Sequence, residues 1–133
     1  MTTAAEQNDR SAGAVLVVDD ELQLRRLFAR SLTKAGYTVT EARHGREALE
    51  LVRQHAFDLV LSDVQMPDMN GLDLLEALHA HYPELPVALV SGSFDEAATE
   101  RAMGLGAVAC LSKPVAFEAL HELAALAIET NRK

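Results

Sequence analysis

Cys110 is the only cysteine among 133 residues, so no internal disulfide can form, which suits a reducing compartment and leads to an expectation of cytoplasmic location. No apolar run approaches the ~18–20 residues that a membrane-crossing helix needs. The N-terminus also lacks a basic segment followed by a hydrophobic stretch, which argues against secretion. Basic residues are outnumbered, with 12 Lys and Arg against 20 Asp and Glu, and no run of them gathers into a stripe. A net charge of −8 therefore argues against a nucleic-acid surface and points to proteins or small phosphates as partners. There is no internal repeat and no low-complexity tract.

What is present is enough apolar material for one core: 49% of the residues are hydrophobic, in a chain of single-domain length. Residues 1–13 are small and polar without periodicity and read as a disordered lead-in, and 130–133 read as a frayed end. Between them, short apolar runs alternate with longer segments of helical period, the pattern of βα units around a parallel sheet. Five such pairs are expected, with strands over 14–18, 37–41, 59–62, 87–90 and 107–111. The first, third and fourth are apolar enough for burial on both faces. The first helix places Leu24, Leu27, Phe28 and Leu32 on one stripe, with Arg25, Arg26 and Arg30 facing water, and Gly36 stops it. The other helices are expected over 46–55, 72–81, 95–103 and 117–130, and Pro83 and Pro86 bracket the turn before the fourth strand. The expected domain runs from 14 to 129.

Acidic residues end two of the apolar strands: Asp19 and Asp20 the first, Asp63 the third. In one parallel sheet these carboxylates converge at the C-terminal edge, where open α/β sheets place their chemistry. Three unpaired acids there repel one another, and a hard divalent cation such as Mg²⁺ resolves the conflict because it takes oxygen ligands and bridges carboxylate to phosphate. Taken alone, Asp20 reads as a helix cap and Asp63 as the start of an Asx turn. Against this, Asp19, Asp20 and Glu21 supply three consecutive acids where one cap suffices. After Asp63, the segment Gln65-Met66-Pro67-Asp68-Met69-Asn70-Gly71 packs turn residues into one tight connection. Backbone carbonyls held in such a connection can ligate a cation, and Asp can accept a phosphoryl group as an aspartyl phosphate.

Two later strand ends complete the constellation. Ser91 and Gly92 offer a hydroxyl and a closely approachable amide to a phosphoryl oxygen, although Ser-Gly alone is an ordinary turn. Lys113, before Pro114, offsets the clustered negative charge, although a lone lysine is commonly only solvated.

Together, Val-Leu-Val-Val-Asp19-Asp20-Glu21, Leu-Val-Leu-Ser-Asp63 through Pro67 to Gly71, Val-Ser91-Gly92 and Gly106-Ala107 through Lys113-Pro114 resemble the receiver domain of two-component response regulators. The resemblance spans residues 14 to about 129. It implies a flavodoxin-like (βα)5 fold: a five-stranded parallel sheet in the order 2-1-3-4-5, with two helices on one face and three on the other. It implies that Asp63 accepts phosphate from a histidine kinase or phosphotransfer protein. Mg²⁺ would be held by Asp19, Asp20, Asp63 and the backbone carbonyl of Gln65. Ser91, Gly92 and Lys113 would bind the phosphoryl group, and the Lys113–Pro114 peptide is a candidate for cis geometry. Movement of Ser91 would then alter the surface of the fourth helix, fifth strand and fifth helix, read by an effector protein or output domain.

One position departs from the family pattern: Cys110 stands where Tyr or Phe is common, so an aromatic readout of phosphorylation cannot operate there. Phe94, just after the Ser91 loop, is a candidate replacement, with a packing anchor as its alternative role; Cys110 reads as a small core residue. The resemblance implies that Gln65 and Ser93 occupy positions that tune phosphate lifetime, Gln65 by orienting an attacking water, with surface polar residues of little effect as the alternative. Two other readings stand beside this one. A haloacid-dehalogenase-like phosphatase shares the residue types but places its nucleophile in an Asp-x-Asp motif after the first strand, which Asp19-Asp20-Glu21 does not match. A pseudo-receiver scaffold would have no need of three mutually repelling acids. No output domain follows Thr130 in this sequence, which fits a stand-alone receiver and a piece of a longer regulator equally well.

Overall fold

The structure, a computed structural model, describes residues 12–132. Most of the 1–13 lead-in expected from the sequence lies outside the described residues, as does Lys133. In chain order the elements are β1 (Ala14–Val18), α1 (Leu22–Lys34), β2 (Thr38–Ala42), α2 (Gly45–Gln54), β3 (Leu59–Asp63), α3 (Gly71–His81), β4 (Val87–Ser91), α4 (Glu96–Gly104), β5 (Ala109–Ser112) and α5 (Phe117–Arg132). Helix α5 thus runs through Thr130, where the sequence suggested fraying. All strand pairs are parallel, in the order β2-β1-β3-β4-β5. The Lys113–Pro114 peptide is cis.

The period-2 alternation of strand side chains divides the core into two layers. Val15, Val17, Leu59, Leu61, Ala88 and Val90 point to one face, against Phe28 and Leu32 of α1 and Leu120, Ala124 and Ile128 of α5. Leu16, Val18, Val60, Val87 and Leu89 point to the other, against Ala48 and Val52 of α2, Leu74, Leu75 and Leu78 of α3, and Ala102 of α4. Strands β1, β3 and β4 are buried on both sides, whereas β2 and β5 form the more exposed edges. No helix among the described residues is long and apolar enough to cross a membrane.

Local chemistry sets the element ends. Asn70 and Asp73 form a reciprocal capping box at α3, the Asn70 side chain accepting from the Asp73 N–H at 2.9 Å and the Asp73 side chain from the Asn70 N–H at 3.2 Å. Asp95 caps α4 through the Ala98 N–H at 2.7 Å. Helices α1 and α4 close alike. Gly36 (φ 105°) and Gly106 (φ 106°) turn the chain left-handed. The next residue's N–H then bonds back into the helix: Tyr37 to Leu32 at 3.1 Å, Ala107 to Ala102 at 3.0 Å. This closure explains why β2 and β5 begin one and two residues later than the apolar pattern suggests. Tyr37 and Ala107 finish helices before any ladder starts.

Helix α1 corrects another expectation. Arg25 is buried, 7% exposed, whereas Leu27 is 47% exposed. The inward stripe is Arg25, Phe28, Ala29 and Leu32, an i, i+3, i+4, i+7 set. A guanidinium is tolerated there because its hydrogen bonds are met. Arg25 Nε pairs with Glu41 Oε1 of β2 at 2.9 Å, and one terminal nitrogen donates to the Asp19 carbonyl at 3.0 Å. Arg25 therefore ties the end of β1 to an edge strand. We expect Arg25→Ala to lower stability by about 2 kcal/mol in urea unfolding, below the cost of breaking a fully buried pair because Glu41 remains partly solvated.

Candidate functional site

Because every strand in a parallel sheet ends on the same side, the residues that close β1, β3, β4 and β5 form one row. Pairing brings Val18 opposite Ser62, Asp63 opposite Val90, and Ser91 opposite Ser112. Backbone bonds carry the row past the strands: Asp19 N–H to Ala42, Val64 N–H to Val90, and Lys113 N–H to Ser91, the last at 2.8 Å. Asp19, Asp20, Asp63, Ser91 and Lys113 accordingly meet at one edge.

Asp19, Asp20 and Asp63 each place a carboxylate oxygen within 4.8 Å of the other two. Asp19 is 1% exposed and Asp63 5% exposed, while Asp20 faces solvent. Asp20 does not cap α1; the cap position is Glu21, which makes no side-chain capping bond. Burial pushes the Asp19 carboxyl up to about 6, against the pull of the Glu21 N–H, which donates to Asp19 Oδ1 at 2.9 Å; the neighbouring Asp63 raises it further. Asp63 is raised above the usual carboxylate range by burial, with Lys113 opposing the shift. Lys113 Nζ stands 3.3 Å from Asp63 Oδ1 as an ion pair, yet that oxygen makes no hydrogen bond.

A buried carboxylate oxygen without a hydrogen bond, beside two further carboxylates, is a donor set suited to a hard divalent cation. Nitrogen and sulfur ligands are absent from the cluster, which favours Mg²⁺ over softer metals.

Around this cluster the other sequence candidates fall into place unevenly. The Ser91 hydroxyl is fully buried; it donates to Gln65 Oε1 at 2.9 Å and accepts from the Ser93 N–H at 3.1 Å. Gly92 is exposed, and a Cβ built there would meet nothing within 4 Å beyond its two chain neighbours. The Gln65 backbone N–H faces the Asp63 carboxylate and lowers its pKa. Phe94 and Cys110 are both half-buried against the α2–α3–α4 layer, and burial raises the Cys110 thiol above its usual range. Both therefore pack in the layer that adjoins the β4–α4 connection.

Two contributors escaped the sequence reading. Arg25 holds the Asp19 carbonyl, and its spacing from Phe28, Ala29 and Leu32 was the available signal. Gly71, read only as a turn residue, sits where a Cβ would overlap the Asp63 carbonyl oxygen and approach Val64 Cα to 2.8 Å. Its N–H donates to the Val64 carbonyl at 2.9 Å, closing the β3–α3 connection against the strand end.

Comparison with known proteins gives the family and the fold. The family model for the response regulator receiver domain matches residues 15–125. Response regulator protein PilR of Pseudomonas aeruginosa is 39% identical over 115 residues, covering 85% of this chain and 25% of PilR. Sensor histidine kinase RcsC of Salmonella typhi is 36% identical over 138 residues, covering 100% of this chain and 15% of RcsC. The chain thus spans a quarter or less of these two curated relatives. Among solved structures, the receiver domain of NtrX from Brucella abortus superposes with a TM-score of 0.83 at 33% identity, covering 87% of this chain and 98% of that one. Chemotaxis protein CheY4 of Vibrio cholerae gives a TM-score of 0.79 at 32% identity, over 83% of this chain and 93% of its own.

The raised Asp19 carboxyl has a consequence for stability. The folded chain holds that proton more tightly than the unfolded one, so folding loses free energy as pH rises from the ordinary value of 3.8 through about 6. In EDTA at pH 7.5, Asp19→Asn, which keeps the Oδ1 acceptor, should raise unfolding free energy by about 1–3 kcal/mol, and the gain should vanish near pH 4. Added Mg²⁺ should stabilise the wild-type chain and narrow the gap. Gly71→Ala should cost about 2 kcal/mol or more by forcing α3 away from the Asp63 carbonyl, measurable by thermal unfolding.

Proposed function

Since this chain belongs to the response regulator receiver domain family, we propose that it is a phosphorylation-dependent signalling receiver whose acceptor is Asp63. The observation that carries this reading is the buried, hydrogen-bond-free Asp63 Oδ1 at 3.3 Å from Lys113 Nζ, inside a cluster of three carboxylates. A carboxylate oxygen of Asp63 attacks the phosphorus of a phosphohistidine on a histidine kinase or phosphotransfer protein; the P–N bond breaks, its electron pair returns to the ring nitrogen, and the donor histidine leaves as neutral imidazole, keeping the proton already on its other ring nitrogen. Asp19, Asp20, Asp63 and the Gln65 backbone carbonyl would hold Mg²⁺. Bound there, the ion neutralises charge on the acidic edge and on the transferring phosphoryl oxygens. Lys113, the Ser91 hydroxyl and the Gly92 amide bind the phosphoryl oxygens of the product, an aspartyl phosphate.

The change of charge at Asp63 then acts on the β4–α4 connection and the surface of α4, β5 and α5, read by an effector protein or output domain. With Cys110 in place of an aromatic ring, Phe94 is the candidate ring for this response, with packing against the α2–α3–α4 layer as its alternative role. Gln65 and Ser93 set how long the phosphoryl group lasts. The domain assists its own phosphorylation and dephosphorylation but turns over no separate substrate, and it works in the cytoplasm. Its partners are proteins, with neither nucleic acid nor membrane bound directly.

Incubation with acetyl phosphate and Mg²⁺ should place one phosphoryl group per chain, detected by intact mass. The label should be lost in Asp63→Asn and in EDTA. Lys113→Ala should slow it by about tenfold or more, a loss typical of removing one electrostatic stabiliser. Absence of labelling in the wild-type chain would favour a pseudo-receiver scaffold, and multiple turnovers of a phosphate ester would favour a haloacid-dehalogenase-like phosphatase. Once labelled, Gln65→Ala should lose its phosphoryl group several-fold more slowly than the wild type.

A further inference from the structure

The Ser91 hydroxyl is occupied on both sides: it accepts from the Ser93 N–H at 3.1 Å and gives its own proton to Gln65 Oε1 at 2.9 Å. A serine hydroxyl carries a single proton. A phosphoryl group at neutral pH presents acceptor oxygens, so Ser91 can bind one only by donating that same proton. Its bond to Gln65 and a bond to a phosphoryl oxygen are therefore mutually exclusive.

We propose that the Gln65 carboxamide is a latch that holds Ser91 in the unphosphorylated arrangement, and that a phosphoryl group on Asp63 must displace it to capture the hydroxyl. This rests on the reading of Asp63 as the acceptor and adds a positioning role for the Gln65 side chain, distinct from its backbone carbonyl and from any effect on water.

The two ends of the latch sit on parts of the chain that are held to different degrees. Gln65 follows Asp63 in a connection closed by the Gly71 N–H to Val64 carbonyl bond at 2.9 Å and the Met69 N–H to Pro67 carbonyl bond at 2.8 Å. It also contains Asp68 at φ 66°. Ser91 closes β4, fully buried and tied to the β5 end by the Lys113 N–H to Ser91 carbonyl bond at 2.8 Å, whereas Gly92 and Ser93 after it are exposed. The Gln65 side chain is exposed, so it can give up the hydroxyl without moving β4, and the freed Ser91 proton can turn to a phosphoryl oxygen. The same residue faces both events, because the Gln65 N–H points at the Asp63 carboxylate while its side chain grips Ser91.

The test uses the full chain, Mg²⁺ and beryllofluoride as the phosphoryl analogue, with affinity read by titration for wild type, Gln65→Met, Ser91→Ala and the double variant. Gln65→Met keeps the side-chain length and removes the acceptor. It should tighten beryllofluoride binding about three- to tenfold, the size of one net hydrogen bond no longer lost on binding. On the Ser91→Ala background the same substitution should change nothing. In the unliganded chain, Gln65→Met should also shift the Ser93 amide resonance, since that N–H bonds to the released hydroxyl. Equal effects on both backgrounds, or unchanged or weaker binding in Gln65→Met, would overturn the latch while leaving the acceptor reading intact. A wild-type chain that binds no beryllofluoride would overturn both.

Discussion

Like charges gathered at one edge of a buried sheet are the constraint around which the rest of this molecule is arranged. Parallel strands all finish on the same side, so Asp19, Asp20 and Asp63 each place a carboxylate oxygen within 4.8 Å of the other two, and the buried pair Asp19 and Asp63 is fixed there by the sheet. Lys113 alone among the described residues makes an ion pair with the cluster. Burial raises Asp19 and Asp63 above the usual carboxylate range, so at neutral pH the cluster costs stability. The apolar layers on both faces of the sheet offset that cost, each fully buried leucine contributing about 2–3 kcal/mol. Residues such as Leu16, Leu61, Leu74 and Leu89 thereby keep an electrostatically unfavourable edge in place.

Polar pins hold the backbone around that edge, each from a different direction. Arg25 grips the Asp19 carbonyl from α1 and reaches Glu41 on the neighbouring strand. Gly71 lets α3 begin against the Asp63 carbonyl, where any side chain would collide. Ser91 is tied to Gln65, and its carbonyl accepts from the Lys113 N–H. The Ser91 to Gln65 bond joins two side chains, so it can break without disturbing a ladder.

Much of this was legible before any coordinates. Apolar period 2 and period 3.6 differ strongly enough that five βα units stand out, and doubly apolar runs such as Leu59-Val60-Leu61 mark interior strands. Asp63, Ser91 and Lys113 stood out because each closes such a run. Element ends were less legible: Tyr37 and Ala107 look like strand residues but complete the C-terminal hydrogen bonds of α1 and α4. Arg25 was misplaced because a periodicity reading assigns charge outward by default. A guanidinium is admitted to the core only when partners arrive from other elements, and Glu41 and the Asp19 carbonyl do so through tertiary packing.

The amino-acid order by itself determined the class of fold, the strands that fill its centre and the polar residues that close them, because these depend on hydrophobic period and turn chemistry within a few residues of chain. Only the tertiary structure decided which charges are buried, which glycine must lack a side chain, and where the one proton of Ser91 goes. Those outcomes depend on distances between residues as far apart in the chain as Gln65 and Ser91, or Arg25 and Glu41, and such distances exist only once the sheet has set its register.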